Sequence, residues 1–395
     1  MNRRIWIISE LFFPNESATG YILTEIAKAF TSKYEVNVIC ADTNYENDTN
    51  RVAGDNGSKT IPGINIVRVH VRELDKNSLP KRLLRFFSVN SKLYQQALKE
   101  VKSGDIVFAV TNPAPLLLSL QKLKKKKNIE YILLVHDVFP ENALASGIMK
   151  NTPLYTFVKK RFDKAYAAAD KILVLGEDMK EIISSKIGFH NNVFVCENWG
   201  EESIKPSARP MDGKIILQYA GNMGRVQGLE NLLSIISDLK NEKLLFDFWG
   251  SGALVPYFNN FVSENSMGQV RIRGSYNRGT QNEVLNDCDI AIVCLAKGMK
   301  GLGVPSKTYN ILAAGKPILY IGDEGSEIYN LVKDNDLGPV FGWDRTEELI
   351  EWLNALTIND LDNFKEKGKR SRALYESRYT KEIILKKILE TVYVK

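Results

Sequence analysis

Residues 201–229 read EESIKPSARPMDGKIILQYAGNMGRVQGL, and this stretch decides the fold. Its opening part, Glu201–Gly213, holds two prolines and a glycine with almost no apolar periodicity, which is the composition of a linker. The apolar run Ile215–Tyr219 follows, then Gly221, Gly224 and Gly228, then a helical pattern. Strand, tight glycine turn and helix together form the repeating unit of parallel sheets wound with helices on both faces.

The same unit recurs on both sides of the linker. Upstream, β-branched runs lie at Ile5–Ile8, Val36–Cys40, Ile64–Val69, Asp105–Val110, Tyr131–Val135 and Lys171–Leu175, with helix-length amphipathic segments between most of them. Downstream, Leu244–Trp249, Val270–Arg273, Ile290–Cys294 and Ile318–Ile321 continue the series. Runs that are apolar throughout, rather than alternating, predict strands covered on both faces. The chain is therefore expected to be α/β, with two doubly wound Rossmann-like domains facing a central cleft. The expected divisions are a first domain 1–200, a linker 201–213, a second domain 214–375 and a helix 376–395 packing back across the domains.

Composition excludes several classes. The 395 residues are 44% hydrophobic and 25% charged, so large cores can form and disorder is ruled out. Four cysteines without a C-x-x-C pair and three histidines argue against a disulfide framework or a zinc site, and fit a reducing cytoplasm. The first apolar run meets Glu10 too soon for a secretory signal, and no run reaches the ~18 residues of a spanning helix. The charge is lopsided. Residues 1–200 carry 28 basic and 21 acidic side chains, whereas residues 201–395 carry 25 and 26. An excess confined to one half suggests a polyanionic partner, either nucleic acid or an acidic membrane face.

Two glycine-rich segments point to phosphate. In Gly301–Pro317 (GLGVPSKTYNILAAGKP), Pro305 suits a first helical turn, Ser306 a cap, and Gly315 and Pro317 a stop after about two and a half turns. Gly303, Ser306 and Lys307 would then surround the helix start, where unpaired N–H groups favour an anion. In the 221–228 loop, closely spaced glycines let backbone approach a phosphate, and Arg225 is the one permanent cation there. His136-Asp137 follows an apolar strand at its carboxyl end, where α/β proteins place functional groups.

Taken in order, these features resemble a GT-B glycosyltransferase of retaining family 4. Phe12-Phe-Pro14 through Gly20 matches F-x-P-x(n)-G, and His136-Asp137, Trp249-Gly-Ser-Gly252, Val270–Gly274 and the AAGKP helix match the motifs that follow. The variant YAGNMGRVQG with VPSKTYNILAAGKP is similar to bacterial O-antigen, capsule and exopolysaccharide transferases. The resemblance implies a nucleotide diphosphate sugar donor, a UDP-sugar in preference, and a polyprenyl-diphosphate-linked or similar glycan acceptor. It also implies hexosyl or N-acetylhexosaminyl transfer with retention, and neither a cofactor nor a metal.

Residue by residue, the resemblance places His136 at the donor sugar, Gly20 near the donor phosphates, and Arg273 and Gly274 around the nucleobase. Asn310 falls at the family's ribose-binding glutamate and Leu302 at its partner in the Glu-x7-Glu pattern, so neither carboxylate is present. The usual loop Arg and Lys fall on Asn222 and Gln227, both neutral. Lys307 and Arg225 restore the count of two cations, and with His136 they form the expected catalytic set. The two D-x-D triplets, Asp287–Asp289 and Asp360–Asp362, precede a strand and lie in the tail.

Cation clusters flanked by aromatics occur at Lys81-Arg82-Leu-Leu-Arg85-Phe86-Phe87 and Lys159-Lys160-Arg161-Phe162. They are expected to face an anionic membrane, placing the protein peripherally on the inner face of the cell membrane. Nucleic acid is not expected as a partner, because the cations form patches while the cleft motifs are glycine-rich. Two rival readings remain: a catalytically degenerate nucleotide-sugar-binding subunit, favoured by the lost carboxylates, and a nucleotide-sugar 2-epimerase, disfavoured by the scarcity of histidines.

Overall fold

A computed structural model of the chain describes residues 3–15, 17–42, 60–71, 79–188, 191–210 and 212–393, with the side chains of residues 79–83 outside the description. The first sheet contains β1 (Arg4–Ser9), β2 (Glu35–Ala41), β3 (Ile64–Val69), β4 (Ile106–Val110), β5 (Glu130–Leu134), β6 (Lys171–Val174) and β7 (Val193–Val195). The second contains β8 (Ile215–Ala220), β9 (Leu244–Trp249), β10 (Val270–Gly274), β11 (Ile290–Cys294), β12 (Ile318–Ile321) and β13 (Val340–Phe341). Both are parallel, with orders β3-β2-β1-β4-β5-β6-β7 and β10-β9-β8-β11-β12-β13. The strand order reverses between β1 and β4 in one sheet and between β8 and β11 in the other, which opens a crevice at the carboxyl ends there.

Burial explains the sequence pattern. Every residue of β4, β8 and β11 is buried, as strands with helices on both faces require. Among the described residues, the strands that sequence reading missed are the edge strands β7 and β13, of three and two residues, which are too short to register as apolar runs.

The segment between the sheets is irregular but anchored. The buried Lys316 ammonium donates to the carbonyls of Ser207 (3.1 Å), Asn286 (2.9 Å) and Cys288 (3.0 Å). Arg209 reaches Asp289 (3.1 Å) and the Lys214 carbonyl (2.9 Å). The linker is thus fastened to the second sheet.

The tail is not one helix. The Leu361–Arg378 helix runs through the boundary expected at 375–376, and the break falls at Tyr379–Thr380. Gly368 packs so tightly on Gly315 that a Cβ would lie 2.3 Å from the Gly315 carbonyl oxygen. Thr380 then caps the Lys381–Val392 helix, which returns to the first unit. There Lys381 meets Glu25 (3.1 Å), and Lys171 donates to the carbonyls of Thr391 and Val392 (both 3.0 Å). Tyr309, Tyr375 and Tyr379 join the first sheet's apolar core, so the core is continuous between the units.

Candidate active site

The second unit's site is built by loops that interlock at the carboxyl ends of β8 to β11. Gly221 N donates to Trp249 O (2.9 Å), Met223 N to Ser251 O (2.8 Å), Gly250 N to Gly274 O (2.7 Å) and Ala296 N to Val226 O (2.9 Å). Gly250 and Gly252, at φ +140° and +154°, make the crossing possible. A Cβ on Gly250 would stand 1.9 Å from Gly221 O, and one on Gly252 2.4 Å from Met223 O. Only glycine fits such an approach.

Lys307 enters this cradle from the side. It opens the seven-residue helix Lys307–Ala313, and its Nζ lies 2.9 Å from where a Gly221 Cβ would sit. The ammonium is 3.4 Å from the centroid of the Tyr219 ring, a cation–π contact, and is buried with no hydrogen-bond partner. Burial without a counter-charge pulls its pKa down to about 7. An unpaired ammonium in such a place is costly unless an anion completes it.

The other loop residues are distributed differently. Arg225 is exposed, in the short turn Arg225–Gln227, with no hydrogen bond or ion pair from its side chain. Asn222 is exposed, and Gly224 begins that turn. The Oε1 of Gln227 is buried without a partner. Ser306 caps the Lys307 helix by position only: its side chain accepts no hydrogen bond, and Pro305 stands before the cap rather than in the first turn. The helix has seven residues, shorter than the expected two and a half turns.

His136 reaches this site through the backbone. Asp137 pairs with Gly303 as an antiparallel bridge, and Val138 N donates to Leu302 O (2.9 Å). The end of β5 is thereby stitched to the loop that leads into Lys307. Thr111 Oγ1 accepts from the amides of His136 (3.2 Å) and Asp137 (3.3 Å), which holds the turn. The imidazole Nε2 is buried and unpartnered, and burial lowers the pKa to about 4, so the ring is neutral at physiological pH.

Several expected roles find their side chains otherwise engaged. Asn310 Oδ1 accepts from Glu201 N (2.9 Å), and Leu302 is buried. Arg273 turns back onto the buried Asp247 (3.3 Å) and lies 5.9 Å from the Trp249 ring, while Gly274, at φ +81°, has open space around it. The amide of Gly20 donates to Ser17 Oγ (3.2 Å), and a Cβ there would be 2.6 Å from Asn15 O. Both D-x-D triplets serve the fold: Asp289 accepts from Ile216 N (2.8 Å), and Asp360 from Thr357 N (2.8 Å).

Sequence reasoning missed the contacts that close the two units on each other. Asp178 Oδ2 accepts from Gly301 N (3.0 Å) and Glu327 N (2.9 Å), while Glu327 Oε2 accepts from Glu177 N (2.9 Å). Each carboxylate caps a helix of the other unit. Burial, with Asp178 and Glu197 nearby, raises the Glu327 pKa to about 7. On another side, Arg278 lies 3.7 Å from the Tyr21 ring centroid, and both donate to Glu201, at 2.8 Å and 2.7 Å. Such pairs carry no local sequence signal, because their partners lie more than a hundred residues away or on a different loop.

The expected membrane-facing set changes. Arg85 points inward and pairs with the buried Glu10, because a buried carboxylate needs a counter-charge. Lys159 is held by Asp163 (2.7 Å) and Glu141 (3.5 Å), within a network completed by the buried Lys186. Phe86 is partly buried, whereas Phe87 and Lys160 are exposed. The Lys81 and Arg82 side chains lie outside the described residues.

Two parallel α/β units meeting at strand carboxyl ends, with a glycine cradle in one and a histidine strand end in the other, define the GT-B fold. The chain belongs to glycosyltransferase family 4, whose model matches residues 20–199. It is 31% identical over 405 residues to the probable glycosyltransferase WbjE of Pseudomonas aeruginosa, covering 98% of this chain and 97% of that one. It is 23% identical to the putative colanic acid biosynthesis glycosyl transferase WcaI of Escherichia coli (strain K12) over 174 residues, 41% of this chain and 43% of the relative. The fold matches Anabaena Alr3699/HepE in complex with UDP, with a TM-score of 0.70 and 12% identity over 98% of this chain and 99% of that one.

Proposed function

We propose that this glycosyltransferase moves a hexosyl or N-acetylhexosaminyl unit from a nucleotide diphosphate sugar, a UDP-sugar in preference, to a polyprenyl-diphosphate-linked or similar glycan. The reaction serves cell-surface polysaccharide synthesis and proceeds with retention of configuration. The observation that carries this reading is Lys307, a buried ammonium without a partner, set against the Gly221 backbone of the glycine loop. The names of WbjE and WcaI, and the UDP in HepE, point the same way.

In this reading the second unit binds the donor and the first unit takes the acceptor. The leaving nucleotide diphosphate gains negative charge as the bond to the sugar breaks. Lys307 stabilises that charge from one side, and the exposed Arg225 closes over it from the loop. Metal is given no role. His136 offers a neutral imidazole to a sugar hydroxyl, with Thr111 fixing its backbone. The protein works at the inner face of the membrane, where a lipid-linked acceptor would be found. Among the described residues no helix is long and apolar enough to cross a bilayer.

The degenerate-subunit reading draws on one specific observation: Asn310 is tied to the linker and Leu302 is buried, so the Glu-x7-Glu positions offer no carboxylate. The purified chain separates the two readings. With UDP-sugars and a polyprenyl-diphosphate glycan, transfer or slow donor hydrolysis is expected. Tight nucleotide binding without either would assign it to the binding subunit.

A further inference from the structure

Among the described residues, the first unit leaves several large apolar side chains mostly exposed. Ile148, Leu154 and Phe157 are 69%, 67% and 59% exposed, and Leu84 and Phe87 are each 62% exposed. Isolated exposed apolar residues need no explanation, but these fall in order. Leu154, Phe157, Arg161 and Lys164 are spaced three, four and three apart on the helix Pro153–Tyr166, so they form one outward stripe. The buried residues Tyr155, Phe162, Ala165 and Tyr166 occupy its opposite face.

The stripe is graded along the helix. Its first two turns are apolar, and its later turns carry Lys160, Arg161 and Lys164, all exposed, with Lys150 exposed in the preceding turn. Arg161 lies over the Phe157 ring at 5.5 Å. The acidic groups of this region turn away. Asp163 and Glu141 bind Lys159 and the buried Lys186, with Lys186 at 2.6 Å and 2.5 Å. The outward charge of the helix is therefore wholly positive.

Position adds a third observation. In a parallel sheet, each helix begins near the carboxyl end of the strand before it. The Leu79–Glu100 helix follows β3, and the Pro153–Tyr166 helix comes after β5 and the short Glu141–Ala145 helix. Arg85 pairs with Glu10 just past the carboxyl end of β1, and Phe162 packs on Phe139 just past that of β5, so the early turns that carry Leu84, Phe87, Leu154 and Phe157 lie toward the carboxyl end of the sheet.

We propose that this face, with Ile148, Leu154 and Phe157 as inserting tips and Lys150, Lys160, Arg161 and Lys164 as the cationic collar, docks the first unit on an anionic lipid bilayer with the cleft mouth at the headgroups. It differs from the set expected from sequence, since Arg85 and Lys159 are engaged inside the fold. The inference deepens the lipid-acceptor reading above and rests on it only for choosing a bilayer as the occupant. Apolar side chains flanked by cations match the acyl–headgroup boundary, with apolar area and charge both contributing to binding.

The test is sedimentation of the full chain with vesicles of phosphatidylcholine alone or mixed with phosphatidylglycerol, at low and high salt. Wild type should bind the anionic vesicles, and binding should fall steeply with salt. Lys160→Gln/Arg161→Gln/Lys164→Gln should bind them on the order of 100-fold more weakly, at the contribution expected per basic residue near an anionic surface. Leu154→Gln/Phe157→Gln should lose the part of binding that survives salt. All these positions are exposed, so both variants should fold and bind UDP as wild type does. Equal sedimentation of the three proteins overturns the proposal. A dimer that dissociates on Leu154→Gln/Phe157→Gln also overturns it, by assigning the face to a second copy. Absence of UDP binding with vesicle binding intact would refute the donor reading and leave this surface standing.

Discussion

Lys307 makes the donor reading quantitatively testable, because its burial couples nucleotide binding to pH. Its pKa is lowered to about 7 by loss of solvent, with no carboxylate to restore it. A diphosphate placed in the cradle supplies that counter-charge, so the bound state holds the proton more tightly than the free state. Binding is then full strength below about pH 7 and weakens by up to about tenfold, or about 1.4 kcal/mol, per unit above it until the pKa of the bound state is reached. Lys307→Met keeps the apolar stem and removes the charge. At pH 6 wild type should bind UDP more tightly than the variant by ~1.5–3 kcal/mol, the range for hydrogen bonds to charged groups.

Isothermal calorimetry between pH 6 and pH 8.5 reads this directly. The phosphate itself titrates near pH ~6, but it does so equally with either protein, so the ratio of the two affinities isolates the lysine. That ratio should shrink roughly 8- to 25-fold across the range, because ~1.5–3 kcal/mol corresponds to a bound-state pKa about one to two units above the free one. At pH 8, wild type should take up roughly half to nine-tenths of a proton on binding, seen as a dependence on buffer ionisation enthalpy; the variant should not. Stability of the free protein runs the other way. The folded pKa is below the ordinary lysine value of 10.5, so the unfolded chain binds more protons between about 7 and 10.5, and stability from this group rises with pH there. Parallel affinity curves for wild type and Lys307→Met would refute the argument.

Other predictions follow from single contacts. His136→Ala should cut turnover at least tenfold while nucleoside diphosphate affinity in calorimetry stays near wild type, since the imidazole is assigned to the sugar. Because the pKa of His136 is lowered to about 4, the turnover profile should show no acid limb near 6.5 from this residue. Glu327 has a folded pKa of about 7 against 4.5, so its ionisation costs stability as pH rises through that interval; Glu327→Gln should raise the melting temperature at pH 8, with the gain fading by pH 5. Gly250→Ala drives a Cβ to 1.9 Å from Gly221 O at φ +140°, and urea unfolding should register a loss of at least ~2 kcal/mol.

The sheets were legible because strands buried on both faces must be apolar at every position, as in Ile106–Val110 and Ile290–Cys294. The glycine cradle was legible because only glycine tolerates the crossing at Gly250 and Gly252. Side-chain direction was not. Arg85 and Lys160 both read as cations beside aromatics, yet one is paired with buried Glu10 and the other is exposed. The choice depends on where Glu10 lies after folding, seventy-five residues away in sequence. Asp178 and Glu327 were invisible for the same reason, since reciprocal capping is a property of two helices meeting.

The neutral loop and the buried lysine are best understood as one arrangement. A lysine or arginine at Asn222 or Gln227, as the family pattern has it, would stand in the same loop as Gly221, against which the Lys307 ammonium already lies. Two like charges in a site that already lowers one pKa to about 7 would depress it further and leave the lysine neutral when the donor arrives. With Asn222 and Gln227 uncharged, the loop supplies backbone and amide groups and the exposed Arg225, and the buried positive charge is delivered from the Lys307 helix. The buried, unpartnered Gln227 Oε1 is consistent with a loop that awaits a ligand donor such as a ribose or sugar hydroxyl. Restoring the family residue should therefore weaken the donor site: Gln227→Lys is expected to bind UDP no more tightly than wild type, despite its added charge. A tighter complex, with Lys307→Met then tolerated, would show that the two positions are interchangeable and that the charge has no preferred side of the cradle.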